Sequence, residues 1–312
     1  MELKKQLLYL YKVSRPELWH FLYGAAYIGV LAAMREHTQW YYLLQPKRFY
    51  LFLALTVYMV MFNFTVYATN DLTDYATDLL NKQRVNELVG PEQSVMVIRV
   101  IIVTQILASI AMYLAGGVKG LIVCAICWAM NIAYSVPPLR CKARPGLDLV
   151  CDGAGYLLPG ILGYWLFFGM PSLYAWRLIV CGFFFVAGCH MLASVRDIPA
   201  DKQAGVRSTG VAIGTQRGVQ LAQVVFAVSV IAWLFVAQGM ALLLVMVPLL
   251  HLILATWVGN SVSGGDTLPE VVSGQIYVWI WRFSWWGGIV CTYQALAILG
   301  PPFLGWAHSI GW

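Results

Sequence analysis

The feature that most restricts the fold of this chain is its series of long apolar runs. Of its 312 residues, 60% are hydrophobic and only 11% are charged, and the mean hydropathy is +0.71. Soluble domains usually carry about 25% charged residues. The composition therefore predicts an all-α, polytopic membrane protein rather than a soluble domain.

Nine runs fit the length of a membrane-spanning helix, which needs about 20 apolar residues and tolerates about 17 to 25. The predicted spans are Leu18–Met34, Phe49–Thr69, Val95–Ala115, Gly120–Val136, Leu149–Met170, Trp176–Val195, Val219–Gln238, Met240–Val258 and Ile276–Leu299. The fifth run contains Asp152 and the last contains Arg282.

The distribution of the 20 Lys and Arg residues predicts the orientation of these spans. Most of them fall on one side of the membrane, namely in the N-terminal segment and in the loops after spans two, four and six. Basic residues favour the cytoplasmic side. We therefore expect a multi-pass protein of the cell membrane with a cytoplasmic N-terminus, and the acidic and basic motifs discussed below fall on the same cytoplasmic face.

The first acidic cluster follows the second span directly and consists of Asn70, Asp71, Asp74 and Asp78. On a helix the three aspartates share one face, because their spacing is i, i+3, i+7. Like charges this close repel each other unless a cation neutralises them. Hard oxygen ligands suit Mg²⁺, which often bridges to the phosphates of a substrate. The cluster predicts a Mg²⁺–diphosphate site at the membrane surface.

A second acidic cluster, Asp197 and Asp201, follows the sixth span, and its two carboxylates are one helical turn apart. Because proline is tolerated in the first turn of a helix but not in its interior, we expect span six to end near Asp197 and a short helix to begin around Pro199. Two facing clusters can hold Mg²⁺ ions that neutralise a diphosphate and make it a better leaving group.

Ionisation of an allylic diphosphate creates negative charge on the leaving group, which preorganised cations stabilise. The basic residues that we predict to complete the diphosphate site are Lys82, Arg84, Arg140, Lys142, Lys202 and Arg207. The reaction also creates positive charge on carbon, which an aromatic face such as that of Tyr134 can stabilise.

Two further acidic residues, Asp148 and Asp152, are one turn apart near the membrane face. Two interpretations are open for this pair. It can help to remove a proton after a carbon–carbon bond has formed, or it can consist of paired or hydrogen-bonded structural carboxylates. We expect His190 to be a packed or hydrogen-bonded histidine rather than a metal ligand.

These motifs resemble those of the UbiA superfamily of intramembrane prenyltransferases. The similarity lies in the Asn70–Asp78 segment, in the segment from Asp197 to Arg207, and in the segment from Tyr134 to Lys142 after span four. The resemblance implies one domain over residues 1–312, with nine helices around a central cavity and a cytoplasmic polar cap. It also implies Mg²⁺-dependent transfer of a prenyl group from an allylic diphosphate donor to a lipophilic acceptor within the bilayer, with no nucleic-acid partner.

The resemblance also assigns roles to individual residues. It implies that Asn70, Asp71, Asp74 and Asp78 bind one metal ion and that Asp197 and Asp201 bind another. The residues that fall where the family contacts the diphosphate or the allylic end of the donor are Arg84, Tyr134, Arg140 and Lys142, with Arg15 as a further candidate.

Within the superfamily, three segments are similar to the lycopene elongases: Ser14–Trp19, Arg144–Asp148 leading to Tyr156–Gly160, and His190 ahead of Ser194–Asp197. This similarity favours a carotenoid acceptor such as lycopene. An aromatic quinone precursor as acceptor, and a terpene cyclase that uses no second substrate, remain alternatives. A cation transporter is the non-enzymatic alternative, but it does not explain basic residues suited to diphosphate beside the carboxylates.

Overall fold

The computed structural model describes residues 2–36, 43, 45–81, 88–237, 239–262 and 268–287, and every regular element in these ranges is helical. The helices are α1 (Glu2–Val13), α2 (Trp19–Glu36), α3 (Pro46–Leu80), α4 (Pro91–Ser135), α5 (Leu147–Phe168), α6 (Leu173–Gln203), α7 (Thr209–Ile213), α8 (Thr215–Val236), α9 (Met246–Ser261) and α10 (270–287). Short 3₁₀ turns are formed by Pro16–Leu18, Cys141–Ala143 and Gly239–Val245. The all-α prediction is confirmed.

Six helical segments are long and apolar enough to cross a membrane. They are Pro46–Leu80, Pro91–Ser135, Leu147–Phe168, Leu173–Gln203, Thr215–Val236 and Leu242–Ser261, and a shorter apolar helix covers Leu22–Met34. The last predicted run, Ile276–Leu299, extends beyond the described residues. The number of nine spans therefore stays a prediction.

Helix α4 is 45 residues long and changes direction at Gly117, whose φ of 61° and ψ of −147° are not helical. Glycine tolerates a positive φ because it has no Cβ atom. The bend falls between two of the predicted runs, Val95–Ala115 and Gly120–Val136. The two predicted runs therefore correspond to the two helical stretches of α4 before and after Gly117.

The apolar interior consists of two main clusters of buried side chains. One lies between α2, α3, α4 and α5 and includes Tyr58 and Met112. The other lies between α6, α8, α9 and α10 and includes Met191 and Phe226. Helix α5 packs against α6, and α3 contacts α6, so these helices join the two clusters.

Helix α6 continues through Pro199 to Gln203, so the predicted helix break near Asp197 is wrong. Proline at this position removes one backbone donor. Its neighbours Ile198 and Ala200 are nevertheless buried, at 3% and 6% exposure. Burial of this face favours the continuous helix over the break that local propensity predicts. The chain leaves the helix before Gly205, which has a positive φ of 72°.

Helices α2 and α5 pack closely through glycines. A Cβ atom added to Gly29 would lie 1.9 Å from the carbonyl oxygen of Gly160. A Cβ atom added to Gly163 would lie 2.4 Å from the carbonyl oxygen of Ala26. Such small residues let helix backbones approach each other inside a membrane.

We therefore expect Gly29→Ala to destabilise the protein by about 1–3 kcal/mol, because the new methyl group meets backbone that cannot move aside cheaply. Gly24→Ala is the matched control on the same helix, since a Cβ atom there meets nothing within 4 Å. The measurement is the thermal unfolding midpoint of each variant in detergent. Equal midpoints for the two variants would contradict the close α2–α5 contact.

Candidate active site

The first acidic cluster lies on the last turns of α3 and contacts the segment between α4 and α5. The ammonium Nζ of Lys142 lies 2.8 Å from Asp74 Oδ2, and Arg140 Nη2 lies 3.1 Å from Asp74 Oδ1. Lys142 also donates hydrogen bonds to Asn70 Oδ1 at 2.9 Å and to Thr73 Oγ1 at 2.7 Å. Two predicted diphosphate residues therefore contact two predicted metal ligands directly.

A third cation reaches the same face of α3 from the N-terminal segment. The Nη2 atom of Arg15 lies 2.6 Å from Oδ1 of Asp71, which is 1% exposed. The guanidinium of Arg15 also lies over the ring of Tyr67, 4.8 Å from its centroid. The sequence offered Arg15 only as a further candidate, and the structure places it in direct contact with the cluster.

Arg15 and Arg140 share an unusual backbone conformation. Their φ angles are 48° and 38°, and they are the non-glycine residues with positive φ in the part of the chain that the structure describes. Residues with side chains rarely adopt this region, and such strain costs about 1–3 kcal/mol at each position. Both strained residues bind carboxylates of the cluster. The two residues with this strained backbone are therefore the two arginines whose guanidinium groups contact carboxylates of α3.

Burial and neighbouring charge act on these cations in opposite directions. Burial lowers the pKa of Lys142 below its ordinary value, and the carboxylate of Asp74 offsets part of this effect. Burial also opposes the charge on Arg15, but Asp71 favours it, and the pKa of Arg15 is raised. Asp78 adds attraction to both cations. The acidic face of α3 therefore favours the charged forms of both side chains.

The second acidic cluster lies at the end of α6, beside the end of α3. Asn81, which ends α3, donates from Nδ2 to Asp197 Oδ1 at 3.2 Å. Arg196 donates to Asp197 as well, from Nε to Oδ1 at 2.9 Å and from Nη2 to Oδ2 at 3.1 Å. Asp201 accepts a hydrogen bond from Ser208 Oγ at 2.8 Å. Its carboxylate lies within electrostatic range of the carboxylates of Asp197 and Asp74. The helix ends that carry the two acidic clusters therefore lie next to each other at one end of the bundle.

The other predicted basic residues do not enter this network in the same way. Lys202 and Arg207 are exposed, and neither forms a salt bridge with another described residue. Lys82 and Arg84 lie outside the described residues. Of the predicted diphosphate residues, the structure brings Arg140 and Lys142 to the acidic face of α3.

The donor atoms suit a hard divalent cation. Carboxylate oxygens from Asp71, Asp74 and Asp197 and the amide oxygen of Asn70 are the ligand types that Mg²⁺ prefers. Within the described ranges, no three His, Cys, Asp or Glu side chains converge closely enough to enclose a metal ion. Arg15, Arg140 and Lys142 instead lie against the oxygens that a metal would use. The chemistry of the donor set therefore fits Mg²⁺, with protein cations holding the same oxygens.

Tyr134 and the pair Asp148 and Asp152 lie next to this site. Tyr134 lies within electrostatic range of Asp152, Asp74 and Asp148. His190 lies between the two aspartates, with Nδ1 3.3 Å from Asp152 Oδ2 and Nε2 3.8 Å from Asp148 Oδ2. The prediction that His190 is a hydrogen-bonded or packed side chain fits these contacts.

Several contact residues were not predicted, namely Thr73, Asn81, Arg196, Ser208 and Thr209. Each is a common polar residue, and Thr73, Asn81 and Thr209 make their contacts with residues far away in the chain. Asn81 and Asp197, for example, are separated by 116 positions. No spacing pattern in the sequence indicates such a pair.

Comparison with known proteins gives consistent results. Residues 22–267 match the UbiA prenyltransferase family. The lycopene elongase/hydratase of Haloferax volcanii is 26% identical over 294 residues, which cover 94% of this chain and 88% of that protein. The enzyme of the same name from Halobacterium salinarum is 26% identical over 307 residues, which cover 92% and 97%.

Solved structures are similar at the level of the fold. A UbiA homolog from Archaeoglobus fulgidus bound to DMAPP and Mg²⁺ matches with a TM-score of 0.60 and 18% identity, and the match covers 91% of this chain and 99% of that one. The same homolog bound to GPP and Mg²⁺ matches with a TM-score of 0.58 and 16% identity, with the same coverage.

The contact between Asp74 and Lys142 predicts energetic coupling. Their side chains are 19% and 9% exposed, so removing one partner leaves a mostly buried charge. In a double-mutant cycle with Asp74→Asn and Lys142→Met, we expect a coupling energy of about 0.5–3 kcal/mol. The measurement is thermal or denaturant unfolding in detergent without ligands.

Lys202→Met is the matched control, because Lys202 is exposed. Paired with Asp74→Asn, it is expected to give additive changes in stability. Additivity in the Asp74–Lys142 cycle as well would contradict a direct ion pair.

Proposed function

The chain belongs to the UbiA prenyltransferase family, and we propose that it transfers a five-carbon prenyl group from an allylic diphosphate to a carotenoid such as lycopene, with Mg²⁺ as cofactor. In this proposal residues 1–312 form one domain with nine spanning helices around a central cavity. The polar end of the bundle faces the cytoplasm of a cell-membrane protein, and the cavity opens to lipid because both acceptor and product are apolar.

The observation that carries this proposal is the proximity of the two helix ends that carry the acidic clusters. Asn81 at the end of α3 contacts Asp197 on α6, and the carboxylate of Asp201 lies within electrostatic range of the carboxylate of Asp74. A diphosphate carries several negative charges and binds where divalent cations and basic side chains surround it. The two helix ends supply the carboxylates for such cations, and Arg140 and Lys142 supply the basic side chains.

We assign Asn70, Asp71, Asp74 and Asp78 to one Mg²⁺ and Asp197 and Asp201 to another. Bound there, Mg²⁺ supplies charge neutralisation that makes the diphosphate a better leaving group.

The chain's own cations act at the same place. Arg15, Arg140 and Lys142 contact the carboxylates of α3 at 2.6–3.1 Å, and all three are donors that can turn to phosphate oxygens. Preorganised donors of this kind stabilise the negative charge that develops on the leaving group. We assign the same role to Lys82, Arg84, Lys202 and Arg207, which follow the two acidic clusters closely in the sequence.

Tyr134 is our candidate for the allylic end of the donor. It lies within electrostatic range of Asp74, and the face of its ring can stabilise positive charge on carbon. The carbon–oxygen bond breaks first, and its electron pair leaves with the diphosphate. The electrons of the acceptor alkene then form the new carbon–carbon bond to the allylic cation.

The carotenoid acceptor is supported by the relatives. Proteins named lycopene elongase/hydratase align with nearly the whole chain at 26% identity. An aromatic quinone precursor, a cyclisation without a second substrate and cation transport are the competing outcomes of the experiment below.

The proposal is tested with purified protein in lipid vesicles, a labelled five-carbon allylic diphosphate, and lycopene. We expect labelled carotenoid with Mg²⁺, no product after chelation of divalent ions, and recovery when Mg²⁺ is restored. Asp71→Asn and Asp197→Asn should each lower transfer by about 100-fold or more, because each removes a carboxylate needed to neutralise the diphosphate. Glu36→Gln is the control, since Glu36 contacts Tyr164 and Ser172, far from the site.

Several outcomes contradict the proposal. Label in a quinone precursor but not in lycopene would reassign the acceptor. A cyclic product from the donor alone would indicate a cyclase. Full transfer by both aspartate variants would contradict a site built from two clusters, and metal flux into vesicles without any prenyl donor would favour a transporter.

A further inference from the structure

The proposed function assigns neither a metal ion nor the diphosphate to one cluster of ionisable side chains next to the site. It consists of Asp148 and Asp152 on α5 and His190 on α6. Ionisable side chains within spanning helices are costly and mark functional sites by default. The two aspartates are one turn apart on the same face of α5, and His190 contacts both.

Asp148 is the structural member of this cluster. It is fully buried, and the backbone N–H of Thr209 donates to its Oδ2 at 2.7 Å. The hydroxyl of Thr209 donates to its other oxygen, Oδ1. Thr209 also accepts a hydrogen bond from the backbone N–H of Gly146 at 2.7 Å. These contacts hold the start of α5 against the start of α7. Of the two interpretations of the pair, that of a hydrogen-bonded structural carboxylate therefore applies to Asp148.

Asp152 differs from Asp148 in its surroundings. Its side chain is 15% exposed, and Nδ1 of His190 lies 3.3 Å from its Oδ2. The side chains of Tyr67, Tyr134, Cys151, Tyr156 and Cys189 lie within electrostatic range of its carboxylate. The second carboxylate of the pair, Asp148, shares the imidazole of His190 with Asp152.

Tyr134 connects this carboxylate to the donor site. It lies within electrostatic range of both Asp152 and Asp74, and we assign Asp74 to the first metal. If the allylic carbon lies against the ring of Tyr134, as the proposed function has it, Asp152 is a carboxylate near the reacting carbon that is not assigned to a metal ion. A base of this kind does not compete with the metal ions for the leaving group.

The proposed reaction requires such a base. Attack of the acceptor alkene leaves a positive charge on the acceptor carbon next to the new bond. The charge is removed when a neighbouring C–H bond gives its electron pair to a new double bond and releases a proton. A carbocation is acidic enough that an ordinary carboxylate can accept this proton.

Building on the proposed function, we propose that the carboxylate of Asp152 accepts this proton, and that His190 is a positioning residue that holds Asp152 towards the reacting carbon. Asp152 becomes the neutral acid, the product becomes neutral, and diphosphate carries away the negative charge. The same carboxylate can accept a proton from water if water attacks the cation, in which case the product is an alcohol.

The test separates donor cleavage from product formation. In lipid vesicles with Mg²⁺, labelled donor and lycopene, we measure diphosphate release and labelled carotenoid for Asp152→Asn. We expect diphosphate release within about 3-fold of the unmodified protein, and carotenoid product lower by at least about 10-fold, since removal of a general base typically costs about 10²–10⁴-fold. An alkene product identifies carbon as the source of the proton, and an alcohol identifies water.

Two further variants distinguish a chemical role from a structural one. Asp152→Glu keeps a carboxylate and should recover more product than Asp152→Asn. His190→Gln should lower the product with little change in the KM for the donor, because it misplaces Asp152 without touching the diphosphate. Glu36→Gln, which removes a carboxylate elsewhere, should leave both measurements unchanged.

The outcomes that overturn the inference differ from those that overturn the proposed function. If the unmodified protein transfers no prenyl group to lycopene, the proposed function fails. If it does, and Asp152→Asn makes the same product at a rate within about 2-fold, Asp152 is not the base. Parallel loss of diphosphate release and product in Asp152→Asn, in Asp152→Glu and in Asp152→Ser would assign Asp152 to folding or donor binding and would also overturn the inference.

Discussion

Negative charge at the edge of an apolar helix bundle has to be neutralised, and the arrangement of this site follows from that requirement. Asp71 is almost completely buried, and Asp74 is mostly buried. Isolated carboxylates in such surroundings are costly, whereas paired and hydrogen-bonded ones are tolerated. Arg15, Arg140 and Lys142 come from two different loops to meet them. The chain folds these loops onto α3 because the acidic face of α3 needs their charge.

In the proposed function, this neutralisation would let one site hold both a metal and a diphosphate. The cations that satisfy the carboxylates are the donors that a phosphate group binds, and the carboxylates are the ligands that Mg²⁺ prefers. When donor and metal bind together, the metal can replace the basic side chain beside a carboxylate. The diphosphate can replace the carboxylate beside that basic side chain. Total charge changes little, so binding does not require a buried charge to be left without a partner. Backbone strain at Arg15 and Arg140 is consistent with a preformed site, in which strain is held by the surrounding contacts.

Much of this arrangement could be predicted from the sequence, because it depends on local patterns. The apolar runs predicted an all-α membrane protein, and the i, i+3, i+7 spacing placed three aspartates on one helix face. The contacts between distant segments could not be predicted, since Asn81 and Asp197 or Asp148 and Thr209 have no shared spacing. The helix break at Pro199 was predicted wrongly, because burial of Ile198 and Ala200 outweighs the local effect of proline. His190 illustrates the same point, for only the fold brings it between two aspartates that are themselves one turn apart.

The central claim is that the two acidic clusters act together on one diphosphate through divalent cations. It is tested most directly by replacing Mg²⁺ with paramagnetic Mn²⁺ and adding a non-reactive thio-analogue of the five-carbon allylic diphosphate. The account predicts two bound Mn²⁺ ions per chain, with electron paramagnetic resonance showing coupling of each ion to phosphorus, and the loss of one ion in Asp74→Asn and of the other in Asp201→Asn. Unchanged Mn²⁺ binding in both variants, or Mn²⁺ without coupling to phosphorus, would contradict it.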